Sequence, residues 1–176
     1  MATMIPENVK RFTTEGESQF YRFLEAVAKP DSQYIVWYSP DIKGREPDFV
    51  LYSHLVGLII FEVKDWALSQ IREANPNSFI LSIGSAIESR KNPYKQARDY
   101  FYEFRDKIKE DGKLISKIPK FLGKPVIPMD FGVIFTNIIR DEYTLNESPS
   151  AKTNSWPMRT RTVRSNSTCI QSWSNR

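Results

Sequence analysis

The stretch from residue 58 to residue 64 constrains the fold more than any other part of the sequence. It reads LIIFEVK, so an unbroken apolar run precedes a glutamate and a lysine. Such a run suits a strand that is buried on both faces. Because side chains alternate along a strand, Glu62 and Lys64 lie on the same face as Leu58. A face that begins as core therefore ends in a carboxylate and an ammonium.

Burying these two charges costs several kcal/mol or more, roughly, unless each finds a partner. A strand that carries them holds them for catalysis, for a metal ion or in a mutual ion pair. The pattern of residues 62 and 64 alone leaves all three readings open.

Composition excludes several kinds of active site. His54 is the only histidine and Cys169 the only cysteine, which argues against Ser-His-Asp and Cys-His catalysis and against a His/Cys zinc site. A lone cysteine cannot form an intrachain disulfide, as is usual in a reducing cytoplasm. No apolar run approaches the ~20 residues that span a bilayer, and residues 1–12 lack the apolar core of a signal peptide. We therefore expect a cytoplasmic protein with no membrane partner.

Charge divides the chain into a body and a tail. The net charge is +4, yet residues 1–148 hold 20 Lys and Arg against 21 Asp and Glu. We therefore predict one domain over residues 1–147 and a basic tail over residues 148–176. The tail is rich in Ser, Thr, Asn and Arg without periodicity, which is typical of disorder. It is interpreted either as a truncated or frame-shifted end or as a nucleic-acid-binding tail in which Trp156 and Trp173 stack on bases.

The first helix is predicted to begin near Thr14 and to end at Pro30, with apolar residues such as Phe20 and Leu24 at helical spacing. Glu17 shares the buried side of this helix. Thr14-x-x-Glu17 is also a capping box, in which Glu17 would close back on the Thr14 amide. Capping and a role in chemistry both remain open for Glu17, and the two are compatible.

A hairpin is predicted between a strand over residues 48–52 and the strand over residues 58–64. A turn centred on Leu55 pairs residues whose numbers sum to 110, which sets Asp48 opposite Glu62. Directly opposed side chains have Cβ atoms about 4.5–5.5 Å apart. Two carboxylates at that distance repel each other unless a positive charge lies between them.

Further elements complete a mixed α/β pattern. Asn92-Pro93 is typical of a helix start, and it places Gln96 within the first turns of a second helix. Residues 112–123 suggest a short amphipathic element. Three further strands are predicted, over residues 34–38, 79–83 and 132–137.

Residues 90–124 form a locally basic segment with 11 positive and 5 negative side chains. Such a stripe suits a phosphate backbone, and Lys91, Lys95 and Arg98 are its candidate nucleic-acid contacts. A solvated helix face explains the charge equally well.

Asp48 and Glu62 supply the oxygen ligands that Mg²⁺ or Mn²⁺ prefers. The backbone carbonyl of Val63 is a further candidate ligand. A cation there would polarise a phosphoryl oxygen and lower the pKa of a bound water. Lys64 would orient that water or neutralise developing charge. The alternative is a simple ion pair between Glu62 and Lys64.

Two residues from the helices are candidates for supporting roles. Glu17 is a candidate to bind metal or to position a second water. Gln96 is a candidate to hydrogen-bond water or the scissile phosphate.

These residues resemble a known pattern. Glu46-Pro47-Asp48 followed by Phe61-Glu62-Val63-Lys64 resembles the PD-(D/E)xK nuclease motif. Together with Gly16-Glu17 and Asn92-Pro93-x-x-Gln96, the order and spacing resemble the nuclease-related domain (NERD) family over roughly residues 15–137.

The resemblance implies a restriction-endonuclease-like α/β fold, with a mixed central sheet flanked by helices. It implies Mg²⁺-dependent hydrolysis of DNA in processing, repair or defence, with RNA as the alternative substrate and a helicase as a partner in trans. It assigns metal binding to Asp48 and Glu62, the catalytic lysine to Lys64, and supporting catalytic roles to Glu17 and Gln96. The alternatives are a non-catalytic DNA-binding module, the remnant of a larger nuclease–helicase, or a domain in which residues 62 and 64 merely pair.

Overall fold

The computed structural model describes residues 2–138 and the backbone of residues 160–165 and 168–173. The last two stretches are strands β9 (Thr160–Ser165) and β10 (Thr168–Trp173), which pair antiparallel. Otherwise the predicted tail over residues 148–176 lies outside the described residues, and the expectation of disorder stays a prediction there.

Residues 2–138 form eight strands and two α-helices. Three short 3-10 helices connect them, at Asp31–Gln33, Leu68–Gln70 and Pro119–Phe121. The longer elements are, in chain order, β1 (Thr3–Ile5), α1 (Glu15–Val27), β2 (Tyr34–Tyr38), β3 (Phe49–Ser53), β4 (Gly57–Lys64), β5 (Ile71–Ala74), β6 (Ser78–Ile83), β7 (Ala86–Lys91), α2 (Pro93–Lys109) and β8 (Met129–Phe135).

A mixed five-stranded sheet is the centre of the fold. Its strand order is β1-β2-β3-β4-β8. β1 runs parallel to β2 and β8 parallel to β4, whereas β3 runs antiparallel to both of its neighbours, β2 and β4. β4, which ends in Glu62 and Lys64, thus lies between β3 and β8, and both of its edges are paired.

The predicted β3–β4 hairpin has the expected register. Phe49 pairs with Phe61 and Ser53 with Gly57, so paired numbers sum to 110 along the whole ladder. The strand begins one residue later than predicted, because Asp48 precedes the ladder. The Asp48 side chain therefore contacts β4 by a hydrogen bond that is not part of the ladder.

One helix covers each face of the sheet. α1 packs Phe20 and Leu24 into a core that includes Phe61, whereas α2 packs Phe104 against a second core that includes Ile60. Since Glu62 shares the alternation of Ile60, the acidic end of β4 lies on the face that α2 covers.

The strands β5, β6 and β7 form a separate antiparallel sheet. The predicted strand over residues 79–83 corresponds to β6, but its two neighbours were not predicted. Both are mostly exposed, so they carry little of the apolar alternation that marks a half-buried strand.

The amphipathic element expected over residues 112–123 is wrong. The segment consists of turns and the 3-10 helix that begins at Pro119, and Gly123 adopts φ +77°. Ile118 and Leu122 are 62% and 71% exposed and cover no core. The apolar residues there have helical spacing, but the proline and the left-handed glycine interrupt any longer helix.

No helix among residues 2–138 combines the length and the apolar character that crossing a bilayer requires.

Candidate active site

Glu62 lies fully buried in β4, with 0% of its surface exposed. One carboxylate oxygen, Oε1, accepts a hydrogen bond from the Lys64 ammonium. The other oxygen, Oε2, is buried and has no hydrogen-bond partner in the described part of the chain. Buried polar atoms without a partner are rare and costly. This oxygen is therefore an acceptor that is open to a cation or a donor from outside the chain.

Lys64 lies beside Glu62 at the end of the same strand, and 20% of its side chain is exposed. Its ammonium is 5.9 Å from the centre of the Trp66 ring. Burial by itself lowers the pKa of this amine, but attraction to Glu62 and Asp48 outweighs it and raises the pKa above its ordinary value. Lys64 is thus a fixed positive charge.

Asp48 reaches β4 through its side chain. The Val63 amide donates to Asp48 Oδ2 at 2.6 Å. Continued past Phe49, the hairpin register would set Val63 against Pro47, which has no N–H to donate. The amide of Val63 is therefore bound by the aspartate, and the ladder supplies no donor for its carbonyl. The N–H and C=O of one strand residue point to the same side, so this carbonyl opens towards Asp48.

Both carboxyl groups have raised pKa values. Burial is the main reason that the pKa of Glu62 rises to about 7, and the charge of Asp48 adds to it. Burial likewise raises the pKa of Asp48 to about 6, although Lys64 and the Val63 amide act in the opposite direction. Positive charge in addition to that of Lys64 would therefore favour full ionisation of both carboxyl groups near neutral pH.

Glu17 is 5% exposed on the first turn of α1. Its carboxylate accepts hydrogen bonds from the Thr13 amide at 3.3 Å, the Thr14 hydroxyl at 3.1 Å and the Tyr38 hydroxyl at 2.6 Å. Its negative charge raises the pKa of both Asp48 and Glu62. Glu17 is therefore close enough to act on the pair, while three protein donors hold its own oxygens.

The predicted cap of α1 is confirmed in its first half. The Glu17 amide donates to Thr14 Oγ1 at 3.2 Å, as a capping box requires. The reciprocal bond differs from the expectation, because the Glu17 carboxylate accepts from the amide of Thr13 rather than that of Thr14.

Gly16 brings the beginning of α1 against the ends of β4 and β8. A Cβ atom at this position would lie 2.8 Å from Thr136 Oγ1 and 3.0 Å from the Asp65 Cβ. Only glycine allows so close an approach. The glycine of the Gly16-Glu17 pair thus allows the next residue to approach the strand ends.

Gln96 lies near the start of α2, which Asn92 caps by accepting from the Tyr94 amide at 2.9 Å. The Gln96 side-chain amide donates to the Tyr100 hydroxyl at 3.2 Å. Burial raises the pKa of Tyr100, and the charges of Glu62 and Asp48 also raise it. Gln96 therefore contacts a tyrosine whose pKa responds to the charges of the carboxyl pair.

Tyr100 and Tyr38 were not predicted as site residues. Each aromatic ring fits the apolar pattern of its element, so only the partners of the two hydroxyl groups reveal them. A tyrosine rather than phenylalanine at such positions was the one available signal.

The three basic candidates near α2 have different surroundings. Lys91 forms an ion pair with Asp99 at 2.8 Å, and Lys95 donates to the Asn77 side chain at 3.1 Å. Arg98 Nε is buried and has no hydrogen-bond partner among the described residues. Lys95 is thus the one of the three that has a neutral partner and an ammonium at the surface.

Within residues 2–138, no group of three or more His, Cys, Asp or Glu side chains is arranged to hold a metal ion. Two carboxylates nevertheless suit Mg²⁺, which keeps several of its waters and binds proteins through one or two carboxylates. The open Oε2 of Glu62, the Asp48 carboxylate and the Val63 carbonyl are all hard oxygen donors. The donor set therefore fits Mg²⁺ or Mn²⁺.

Comparison with known proteins identifies a family. A family model described as the nuclease-related domain matches residues 13–129, which is well over half of the chain. The matched region includes all five predicted catalytic residues, from Glu17 to Gln96. No curated protein and no solved structure matches the chain.

Proposed function

Since the chain belongs to the nuclease-related domain family, we propose that it is a divalent-metal-dependent nuclease that hydrolyses phosphodiester bonds of DNA. Its mixed sheet, covered by a helix on each face, is consistent with the restriction-endonuclease-like fold. The observation that carries the proposal is the buried Glu62 carboxylate: its Oε1 is paired with Lys64, and its Oε2 has no hydrogen-bond partner among the described residues.

Asp48, Glu62 and the Val63 carbonyl would hold Mg²⁺ or Mn²⁺. When bound, such an ion supplies Lewis-acid polarisation of a phosphoryl oxygen and lowers the pKa of a bound water. The protein prepares the site by placing two carboxyl groups with raised pKa values, about 6 and about 7, where a cation favours their ionised forms.

Lys64 would stabilise negative charge that develops on the phosphate. Its ammonium is fixed by Glu62 and lies next to the carboxyl pair. A preorganised positive charge in a partly buried site needs little reorganisation during the reaction. A cation that binds the Glu62 carboxylate would weaken the ion pair between Glu62 and Lys64. The Lys64 ammonium could then donate hydrogen bonds to substrate.

Glu17 and Gln96 would support the site from the two helices. Glu17 adds negative charge that favours cation binding, and its oxygens are held by protein donors. Gln96 and its partner Tyr100 would face substrate or its water from the opposite side of the pair.

The start of α2 is the proposed contact with the nucleic-acid backbone. Lys95 presents its ammonium there, next to Gln96, with Lys91 and Arg98 close by in sequence. Contacts of this kind neutralise phosphates and make binding weaken as salt concentration rises.

A second candidate is a DNA-binding module without catalysis. The ion pair between Glu62 and Lys64 favours it, because the pair gives each of these charges one partner without a metal or a substrate. Such a module would bind DNA in a salt-sensitive way and cleave nothing.

Nicking of supercoiled plasmid with Mg²⁺ or Mn²⁺ separates the two candidates. We expect metal-dependent nicking by the intact chain, and a loss of at least about 100-fold in Glu62→Ala and in Lys64→Ala. Glu88→Ala is the matched control, since Glu88 and Arg90 form an ion pair at the same spacing on β7 but are exposed. Undiminished nicking by Glu62→Ala would refute the proposal.

A further inference from the structure

We propose that Tyr38 is a positioning residue of this site, whose hydroxyl fixes the Glu17 carboxylate so that its charge faces Asp48 and Glu62. The inference rests on the proposed function and extends it to a residue outside the five predicted ones. Tyr38 ends β2, which lies two strands away from β4 and its Glu62.

The first observation is the hydrogen bond itself. Tyr38 Oη donates to Glu17 Oε2 at 2.6 Å, the shortest of the three bonds that this carboxylate accepts. The Thr13 amide lies 3.3 Å from the Tyr38 hydroxyl and 3.3 Å from Glu17 Oε2. A charged acceptor makes such a bond stronger than one between neutral groups. The hydroxyl therefore holds one oxygen of a buried carboxylate in place.

The second observation is that the ring of Tyr38 is itself held by packing. Its centroid lies 5.2 Å from that of Phe12, 5.2 Å from that of Phe49 and 6.4 Å from that of Tyr21. Offset and edge contacts at these distances are favourable. The hydroxyl is therefore carried by a ring with little freedom to move.

The third observation connects Tyr38 with Asp48 along the backbone. Ser39 adopts φ +47°, a left-handed conformation that is uncommon for a residue other than glycine. Its amide donates to the Asp48 carbonyl at 2.9 Å. At the end of β2, the Tyr38 side chain thus contacts Glu17, and the backbone of the next residue contacts that of Asp48. Backbone strain of this kind persists where surrounding contacts enforce it.

The fixed Glu17 charge has a direct effect on the pair. Its proximity disfavours the ionised forms of Asp48 and Glu62, and the same proximity attracts a divalent cation. Without the Tyr38 hydroxyl, the carboxylate of Glu17 loses its closest donor and can rotate away from the pair. This rotation would reduce the negative potential that a cation meets between Asp48 and Glu62.

A tyrosine that only fills the core would not need its hydroxyl. Tyr38→Phe removes that hydroxyl and keeps the ring contacts. Tyr34→Phe is the matched control, because Tyr34 begins the same strand, packs against the same core and has a hydroxyl without a hydrogen-bond partner in residues 2–138.

The test measures the Mn²⁺ dissociation constant of the full chain by calorimetry, together with the metal concentration that gives half-maximal nicking. We expect Tyr38→Phe to raise both by about fivefold or more, with Tyr34→Phe at the wild-type values. In a Glu17→Gln background, Tyr38→Phe should change neither value further, because the charge that it positions is gone.

Wild-type metal affinity in Tyr38→Phe, with wild-type nicking, would overturn the inference and leave the proposed function standing. An effect of Tyr38→Phe that persists in full in the Glu17→Gln background would also overturn it, since the hydroxyl would then act by another route. A wild-type chain that binds no Mn²⁺ and nicks no plasmid would refute the proposed function, and the inference would fall with it.

Discussion

Replacing Asp48 by asparagine should make the protein more stable at pH 8 while removing its response to divalent metal. The substitution keeps the shape of the side chain and an oxygen that accepts the Val63 amide, now bound at 2.6 Å. It removes the negative charge of Asp48 and leaves that of Glu62. Sites built for chemistry often carry groups that reduce stability in this way.

The magnitude follows from the raised pKa of Asp48. Burial, with the charge of Glu17, raises the pKa from 3.8 to about 6, so the native state holds this proton more tightly than the unfolded chain does. Stability therefore falls as pH rises from about 4 to about 6, and the loss remains at higher pH. At about 1.4 kcal/mol per pKa unit, Asp48→Asn should gain between about 1 and 3 kcal/mol at pH 8. Near pH 4 the gain should be small.

Thermal unfolding followed by circular dichroism at pH 4 and pH 8 measures this difference. For a chain of this size, 1 kcal/mol moves the Tm by about 2–4 °C. Asp111→Asn is the control, because Asp111 is exposed and also accepts a backbone amide bond, from Lys113 at 2.9 Å. An equal gain at both pH values, or a loss at pH 8, would refute the reasoning, as would a Tm of Asp48→Asn that still rises with Mn²⁺ as the wild type does.

Two further substitutions test how α1 is set against the sheet. Gly16→Ala should lower the free energy of unfolding, measured with urea, by about 1–3 kcal/mol, because the new methyl group would lie 2.8 Å from Thr136 Oγ1. Gly112→Ala is the control and should leave that free energy unchanged, because the space around Gly112 is open. Equal effects of the two substitutions would contradict the packing at Gly16. Thr14→Ala should cost about 1 kcal/mol by the same measurement, since α1 loses its N-cap, and an unchanged urea midpoint would contradict that role.

The β3–β4 hairpin was predictable because two independent signals agree there. Alternation fixes which side of β4 faces each helix, and a register slip by one residue would reverse it. Gly57 adopts φ +86° at the end of the turn, which glycine does without strain. The register was therefore determined by local sequence.

The small sheet and the segment over residues 112–123 could not be predicted in the same way. β5 and β7 are held by pairing with β6 rather than by an apolar face of their own, and pairing leaves no periodicity in a single strand. In the segment, Ile118 and Leu122 have the right spacing but no surface to cover. Spacing indicates a helix only where a partner face exists.

The sequence indicates candidate residues of the site better than it indicates the contacts among them. The spacing of Asp48, Glu62 and Lys64 is visible in the sequence, and the structure brings their charges together. No sequence pattern indicates the roles of the Tyr38 and Tyr100 hydroxyl groups, because each ring already fits the apolar packing of its own element. Such connections depend on tertiary geometry between elements far apart in the chain.

Direct titration of Mn²⁺, followed by the loss of the free-ion signal in electron paramagnetic resonance, tests the central claim that Asp48 and Glu62 together hold a divalent cation. The wild type should take up Mn²⁺, and Glu62→Ala should take up at least tenfold less at the same free concentration. Equal uptake by the two proteins, or none by the wild type, would contradict the account.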